Sequence, residues 1–191
     1  DWIQTCALPI YPQTGHYLTE MPLAPGMLGS PRIITGADAA FGVANATAGA
    51  IAYDWRPVAE GGSISAGAGQ YALRRAEVFA GVVTRGGVGA DVGVARSRSD
   101  GSAMNGDHDF SRASLRLQVR SAAAQTDAAI GYQENRFGWP NLYTPFGSAE
   151  SENLQTLLLA LNHRASAGGD TTWEAGAFHR RNKDDYAFNR F

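Results

Sequence analysis

The sequence predicts an all-β fold of antiparallel strands laid out as part of a transmembrane β-barrel, and three observations predict it. Apolar and polar residues alternate with a period of two over about seven segments of residues 61–180, which is the side-chain period of a β-strand. Short and long connections between these segments also alternate, as they do in outer-membrane barrels. Finally, charged residues make up only 18% of the chain, against roughly 25% in ordinary soluble domains.

Composition excludes several classes of function. The chain has 191 residues, with 16 Lys and Arg against 18 Asp and Glu, so the formal net charge is −2. This balance argues against a nucleic-acid partner, because neutralising phosphates needs clustered cations. The single cysteine, Cys6, excludes an internal disulfide framework and a cysteine-based zinc site.

The first third of the chain is irregular. Residues 11–30 are rich in Pro and Gly, which predicts an extended segment with turns. Residues 32–36 form a short β-branched run that ends at Gly36. Residues 49–58 predict a strand that Pro57 terminates.

Seven further strands follow from the alternation. They are predicted at residues 61–69, 73–83, 88–98, 113–120, 127–134, 154–164 and 171–180. The cleanest is 113–120, where Leu115, Leu117 and Val119 alternate with polar neighbours such as Arg116 and Gln118. Residues 154–164 are apolar on both sides at their centre, so their facing stays ambiguous.

The connections between these strands separate by length. Short turns are predicted at residues 84–87, 122–125 and 167–170, and long loops at 99–112 and 135–152. A membrane barrel has short turns at one edge and long loops at the other. A soluble β-sandwich also alternates apolar and polar faces, but it has no reason to sort loops by length. The polar face alone does not separate the two.

A family resemblance rests first on residues 34–58, which read ITGADAAFGVANATAGAIAYDWRPV. This segment resembles the C-terminal end of the plug of a TonB-dependent outer-membrane transporter. The matching motif comprises Gly36, Gly42, Asn45, Gly49 and Tyr53. The usual Gly-Gly pair before the final plug strand is replaced here by Ala48-Gly49. Small residues permit close backbone approach to a barrel wall.

A second match is residues 136–143, RFGWPNLY, which are similar to an aromatic loop of a subgroup labelled vitamin B12 transporter-like. The resemblance covers about residues 20–191 and implies two parts. Residues 11–60 would be the C-terminal part of a plug domain, and residues 61–191 the first strands of a barrel. Because such barrels have about 22 strands, the chain is predicted to be a fragment.

The resemblance also implies a function. The intact protein would lie in the bacterial outer membrane, in contact with its lipid, and import a scarce large nutrient such as a siderophore or cobalamin. The TonB complex would be its partner and would drive uptake; no organic cofactor is implied. The alternatives are a small passive outer-membrane barrel and a soluble β-sandwich binding module.

The two chain ends carry separate interpretations. Residues 1–10, DWIQTCALPI, resemble the translation of a sequencing adapter; the alternative is a natural strand. Phe191 invites the interpretation that the chain ends as a complete outer-membrane protein does. However, residues 180–185 (RRNKDD) lack alternating apolar residues, which argues against a terminal barrel strand.

Two sets of residues are candidates for binding. Oxygen ligands at near-alternate positions, the pattern that calcium prefers, occur at Asp100, Asn105, Asp107 and Asp109, with a solvated polar loop as the alternative. Ligand contact is predicted for the residues of the aromatic loop, Arg136, Phe137, Trp139 and Tyr143, with membrane-interface packing as the alternative. The histidines lack metal spacing, and no catalytic constellation is visible, so no enzyme activity is predicted.

Overall fold

The computed structural model describes residues 21–35, 50–141, 143–168 and 171–191, and this part of the chain is all-β. A single 3-10 turn, Pro25–Met27, accompanies nine strands in these residues. The strands are β1 Leu28–Ile34, β2 Ala50–Trp55, β3 Gly61–Ala68, β4 Arg74–Val83, β5 Val88–Ser99, β6 His108–Arg120, β7 Ala124–Gly138, β8 Ser151–Gly168 and β9 Thr171–Ala187. No helix in the described segments is long and apolar enough to cross a membrane.

The described residues form two compact units. One contains Met21 with residues 25–35 and 50–57, and the other contains Pro22–Ala24 together with the described residues of Val58–Phe191. In the first unit β1 pairs antiparallel with β2. An ion pair of 3.1 Å between Arg32 Nη2 and Asp54 Oδ1 joins these two strands.

The second unit contains a seven-stranded antiparallel sheet in which each strand pairs with the next, from β3 to β9. Residues 69–73, 100–107 and 139–150 connect strands at one edge, and residues 84–87 and 121–123 connect them at the other. We call these the long-connection edge and the short-connection edge. The predicted long loops do lie at one edge, as connections 100–107 and 139–150, and the turns 84–87 and 121–123 lie at the other, whereas 69–73 is only one residue longer than 84–87. The described sheet is open, with β3 and β9 as its borders.

The two faces of this sheet have opposite character. On the face that we call the apolar face, large aliphatic side chains are exposed; examples are Val92, Val94, Leu115, Leu117, Ile130 and Leu161. On the other, the polar face, charged and polar side chains are buried; examples are Asp91, Arg116, Gln118, Asp127, Glu152 and Thr156. A soluble sheet buries its apolar face and exposes its polar one, so this sheet has the reverse arrangement.

The register aligns the exposed apolar side chains into rows that cross the strands. One row contains Ala80, Val92, Leu115, Ile130 and Leu159, and the next contains Val82, Ala90, Leu117, Ala128 and Leu161. On β7 the outward residues from Ala124 to Tyr132 span eight residues, or about 27 Å of strand at ~3.4 Å per residue. The apolar face is therefore a continuous band and not a scatter of single side chains.

All seven predicted strands from residue 61 onward are present, but five of them, β5 to β9, are longer than predicted, β5 by a single residue. β6 begins at His108 instead of residue 113, β7 ends at Gly138 instead of residue 134, and β8 spans Ser151–Gly168. The predicted long loops are shortened accordingly. The pattern missed these ends because polar side chains occupy both faces there, and ladder hydrogen bonds maintain the strand without an apolar face.

The last predicted strand, residues 171–180, continues through residues 180–185, although these lack alternating apolar residues. They form part of β9, in which Arg181 lies opposite Leu157 and Lys183 opposite Gln155 on β8. The ambiguous strand is also resolved: Leu154 and Leu158 are buried on the polar face, whereas Leu159 and Leu161 are exposed on the apolar face.

Candidate functional site

A buried ionic cluster lies on the polar face near the short-connection edge. The Arg116 guanidinium makes two contacts to the Asp91 carboxylate, one of them from Nε to Oδ1 at 3.1 Å, and none of the Arg116 side chain is exposed. Its Nη1 lies 3.7 Å from Oδ1 of Asp127. The register produces the cluster because Asp91 pairs directly opposite Arg116. Buried charges are tolerated when each has a partner, which these have.

Two glutamines complete the cluster. Gln118 Nε2 donates to Asp127 Oδ1 at 2.7 Å, and Gln125 Nε2 donates to Asp127 Oδ2 at 2.6 Å. Gln118 Oε1 accepts a hydrogen bond of 3.1 Å from the backbone amide of Val58. The cluster therefore fixes the chain just before β3 to the polar face of the sheet.

A trough of small residues crosses the same face. Gly93, Ser114 and Gly131 are direct neighbours on three adjacent strands, and the segment Pro22–Ala24 lies against them. The Ala24 amide donates to Ser114 Oγ at 3.0 Å, and Leu23 is 1% exposed. A Cβ at position 93 would overlap the Ala24 side chain, and one at position 131 would overlap the Pro22 carbonyl. Glycine is therefore required at both positions.

A polar cleft of about 520 Å³ opens at the long-connection edge. It brings together two sets of residues that the sequence predicted separately, the oxygen ligands and the start of the aromatic loop. Of these predicted residues the cleft is lined by Asp100, Asn105, Asp107, Asp109, Arg136 and Phe137. Arg98, Glu152, Asp185 and Arg190 also line it, so the cleft offers both signs of charge to a polar solute.

The four oxygen ligands do not converge on one point in the cleft. Asp107 Oδ1 forms an ion pair of 2.6 Å with Arg190 Nη1, and Arg190 Nη2 donates to Asn105 at 3.4 Å. Asp109 is paired with Arg96 at 2.9 Å. Across the described residues, no group of three or more His, Cys, Asp and Glu side chains is placed to hold a metal ion. The geometry gives the calcium hypothesis no support.

Only the first two candidate residues of the aromatic loop, Arg136 and Phe137, line the cleft. Trp139 and Tyr143 lie outside its lining, although the rings of Phe137 and Trp139 are 6.3 Å apart. Tyr143 packs edge-on against Tyr186 at 5.0 Å and donates its hydroxyl to Glu152 Oε1 at 2.6 Å. Tyr143 thus attaches the long connection to the ends of β8 and β9. Ligand contact remains a prediction for Arg136 and Phe137, which line the cleft.

Glu150 fixes the same connection. Its carboxylate accepts hydrogen bonds from the Tyr143 amide at 2.8 Å and from the Thr144 hydroxyl at 2.6 Å. Burial acts to raise the pKa of Glu150, but these bonds and one from the Tyr186 hydroxyl outweigh it, so the pKa lies below its usual value. Glu150 is therefore ionised while residues 143–150 are in place.

Most of the predicted plug-end motif lies outside the described residues. This applies to Gly36, Gly42, Asn45 and Gly49, as it does to residues 1–10. Tyr53 is described: it is half-buried on β2 and lies opposite Pro31 on β1.

A scan of the chain against protein-family models finds no match, and searches of the curated proteins and of the solved structures find none either.

Two features of the polar face escaped sequence reasoning. Pro22–Ala24 was predicted only as part of an irregular segment, because nothing periodic marks a segment that packs through its backbone. The matching signal, small residues at aligned positions of adjacent strands, becomes readable only once the register of β5, β6 and β7 is known. The same holds for the pairing of Asp91 with Arg116.

Proposed function

We propose that this chain forms part of the wall of an outer-membrane β-barrel, with its apolar face toward lipid and its polar face toward the barrel interior. The observation that carries the proposal is the reversed burial of the sheet. Leu117 and Val119 are each 51% exposed, whereas Arg116 and Asp127 are fully buried. Exposed apolar patches of this extent indicate contact with lipid or with another apolar surface.

The dimensions of the apolar band fit a bilayer. A strand length of about 27 Å becomes about 20 Å across the membrane at the ~40° tilt of such barrels, close to their ~25 Å apolar band. Aromatic side chains occupy both ends of the band. At the long-connection end, Tyr132 is the last aromatic residue of the band before the charged Glu134 on the same strand. At the short-connection end, the ring centroids of Trp173 and His163 are 4.9 Å apart. Aromatic residues favour the membrane–water interface.

A soluble β-sandwich is the less favoured alternative. In a sandwich the apolar face of each sheet packs against another sheet, and the polar face meets water. Here the side chains of Leu115 and Ile130, which lie in one row of the apolar face, are exposed and have no second sheet packed on them among the described residues. The buried side contains the Arg116 ion pairs, which are a poor substitute for an apolar core.

We further propose that the barrel is a TonB-dependent importer of a scarce large nutrient, such as a siderophore or cobalamin, energised by the TonB complex. The support is the family resemblance of residues 34–58 and 136–143, together with a segment against the polar face. Pro22–Ala24, which the resemblance assigns to the plug, packs in the trough of Gly93, Ser114 and Gly131. A polar barrel interior that holds an earlier part of the chain is what a plugged transporter requires.

The mixed charges of the cleft at the long-connection edge suit a first contact with a polar cargo. Arg136 and Phe137 would offer a guanidinium and an aromatic ring side by side at its border. Both lie at the end of a strand, so the sheet fixes their position.

The genomic reading frame tests the transporter proposal. A barrel of about 22 strands requires a continuation of about 400 residues or more with the same alternation, and we expect one after Phe191. A stop codon directly after Phe191 would contradict the large importer and favour the small passive barrel.

A further inference from the structure

The apolar face ends in two charged rows at the long-connection edge. The register aligns Arg74, Arg98, Asp109, Arg136, Asn153 and Asp185 in the outermost row. The next row contains Ala76, Arg96, Ser111, Glu134, Gln155 and Lys183. Directly below them lies the row of Val78, Val94, Ala113, Tyr132 and Leu157. From β5 to β8 the change from apolar to charged or polar side chains therefore occurs within one row, whereas on β9 the row of Leu157 contains Arg181.

Within these rows, cations are concentrated on β4 and β5. Arg74 and Arg98 lie directly opposite each other, both exposed, and Arg96 lies two residues from Arg98 on the same face. The carboxylate opposite Arg98 in the same row, Asp109, is bonded to Arg96, at 2.9 and 3.2 Å. On β4, β5 and β6, these two rows therefore contain three guanidinium groups and one carboxylate. Like charges directly opposite each other on a sheet are destabilising.

The remaining charged side chains of the two rows form ion pairs with one another. Arg136 pairs with Glu134 at 3.0 Å, and Lys183 pairs with Asp185 at 2.6 Å. Arg74 and Arg98 have no such ion pair or side-chain hydrogen bond in the described part of the chain. Within the two charged rows the unbalanced positive charge therefore lies at Arg74 and Arg98; one row below, Arg181 on β9 is a further exposed cation of the same face.

The opposite end of the apolar face carries no comparable cluster among the described residues. The row there contains Val88, Val119, Thr126 and His163. Arg120 belongs to the polar face by its position in β6, and Arg85 lies in the turn between β4 and β5. The arginine cluster is thus specific to the long-connection edge.

We propose that Arg74, Arg96 and Arg98 bind the phosphate group of an anionic lipid in the leaflet at the long-connection edge. The proposal rests on the membrane orientation proposed above. Guanidinium groups bind phosphate oxygens in a two-point geometry, which a lysine does not reproduce. The cluster stands one to two rows above the apolar band, about 7–14 Å at ~3.4 Å per residue, where the head group of a lipid packed on Val78 and Val94 would lie. A phosphate there would relieve the repulsion between Arg74 and Arg98.

Lipid binding to the 191-residue chain in detergent micelles tests this proposal, with native mass spectrometry as the readout. The probes are dioleoyl phosphatidic acid and dioleoylglycerol, which share their acyl chains and differ by the phosphate. We expect the wild type to retain phosphatidic acid preferentially. The variant Arg74→Gln/Arg98→Gln should bind it about 30-fold more weakly, on the scale of the attraction of anionic lipid to single basic residues. The control Arg75→Gln/Arg85→Gln removes equal charge away from the two rows and should bind as the wild type does.

Equal retention of phosphatidic acid by the wild type and by Arg74→Gln/Arg98→Gln would overturn the proposal. Displacement of phosphatidic acid by inorganic phosphate at similar concentration would assign the cluster to a free anion instead, and would overturn it as well. Because Arg98 also borders the polar cleft, Arg74→Gln alone must weaken lipid binding. If the chain is monomeric and folded in water without detergent, the membrane orientation fails, and this inference fails with it. If the chain enters micelles but does not prefer phosphatidic acid to dioleoylglycerol, only the proposed lipid site is refuted, and the membrane orientation stands.

Discussion

Replacing Arg116 with Met is expected to lower the free energy of unfolding by about 3–5 kcal/mol, the cost of leaving a buried charge without its partner. The substitution leaves the Asp91 carboxylate, which is 3% exposed, with no cation beside it. Asp127 also loses the guanidinium but keeps its hydrogen bonds from Gln118 and Gln125. The measurement is urea unfolding of the chain in detergent micelles, followed by tryptophan fluorescence.

Two comparison variants show whether burial causes this effect. Arg136→Met breaks an ion pair whose arginine side chain is 67% exposed, and it should cost at most about 1 kcal/mol. The double variant Asp91→Leu/Arg116→Met removes the stranded carboxylate and should recover most of the loss, since apolar pairs often replace buried ion pairs at little cost. An Arg116→Met variant as stable as Arg136→Met would show that water reaches the cluster.

Replacing Gly131 with Ala is expected to displace Pro22–Ala24 from the trough. The new methyl group would overlap the Pro22 carbonyl oxygen, which is backbone and cannot rotate away as a side chain does. The loss would include the burial of Leu23, about 1.5–3 kcal/mol, and the bond from Ala24 to Ser114, about 1 kcal/mol. Hydrogen exchange at the Ala24 amide should accelerate markedly, and the unfolding free energy should fall by about 3 kcal/mol.

Gly176→Ala provides the matched control in the same sheet. A Cβ there would lie 3.4 Å from the Leu161 carbonyl oxygen, which is an ordinary contact. We expect this variant to change the unfolding free energy by no more than about 0.5 kcal/mol and to leave the Ala24 amide protected. Unchanged protection of Ala24 in Gly131→Ala would contradict the assignment of the trough as the seat of this segment.

The positions of the strands could be predicted from the sequence, whereas most of the contacts that define the candidate site could not. Alternation such as Leu115, Leu117 and Val119 against Arg116 and Gln118 locates β6 and assigns its two faces correctly. The alternation does not show which face is buried, because a polar face of this kind can be the exterior of a soluble sandwich or the interior of a membrane barrel. The structure supplied that missing fact, since Arg116 is buried and Leu117 is exposed.

Contacts between residues far apart in the sequence could not be predicted for a different reason. The cluster of Asp91, Arg116 and Asp127 depends on register, and a slip of one residue would turn each side chain to the other face. Register in turn depends on connection lengths, and the predicted loops 99–112 and 135–152 are each six residues longer than the connections 100–107 and 139–150. The oxygen ligands were located in the correct region, but Arg190, which neutralises Asp107, lies 83 residues further along the chain.

The central claim is that the apolar face of the sheet meets lipid, and adjacent residues of β3 test it most directly. Ile64, 82% exposed, belongs to the apolar face, and the exposed Ser65 belongs to the polar one. With Cys6 replaced by Ala, nitroxide labels would be placed on Ile64→Cys and Ser65→Cys in chains reconstituted into phosphatidylcholine vesicles. We expect the label at 64 to collide mainly with lipid-soluble oxygen and the label at 65 mainly with a water-soluble nickel chelate. Equal access of the nickel chelate to both labels would contradict the account.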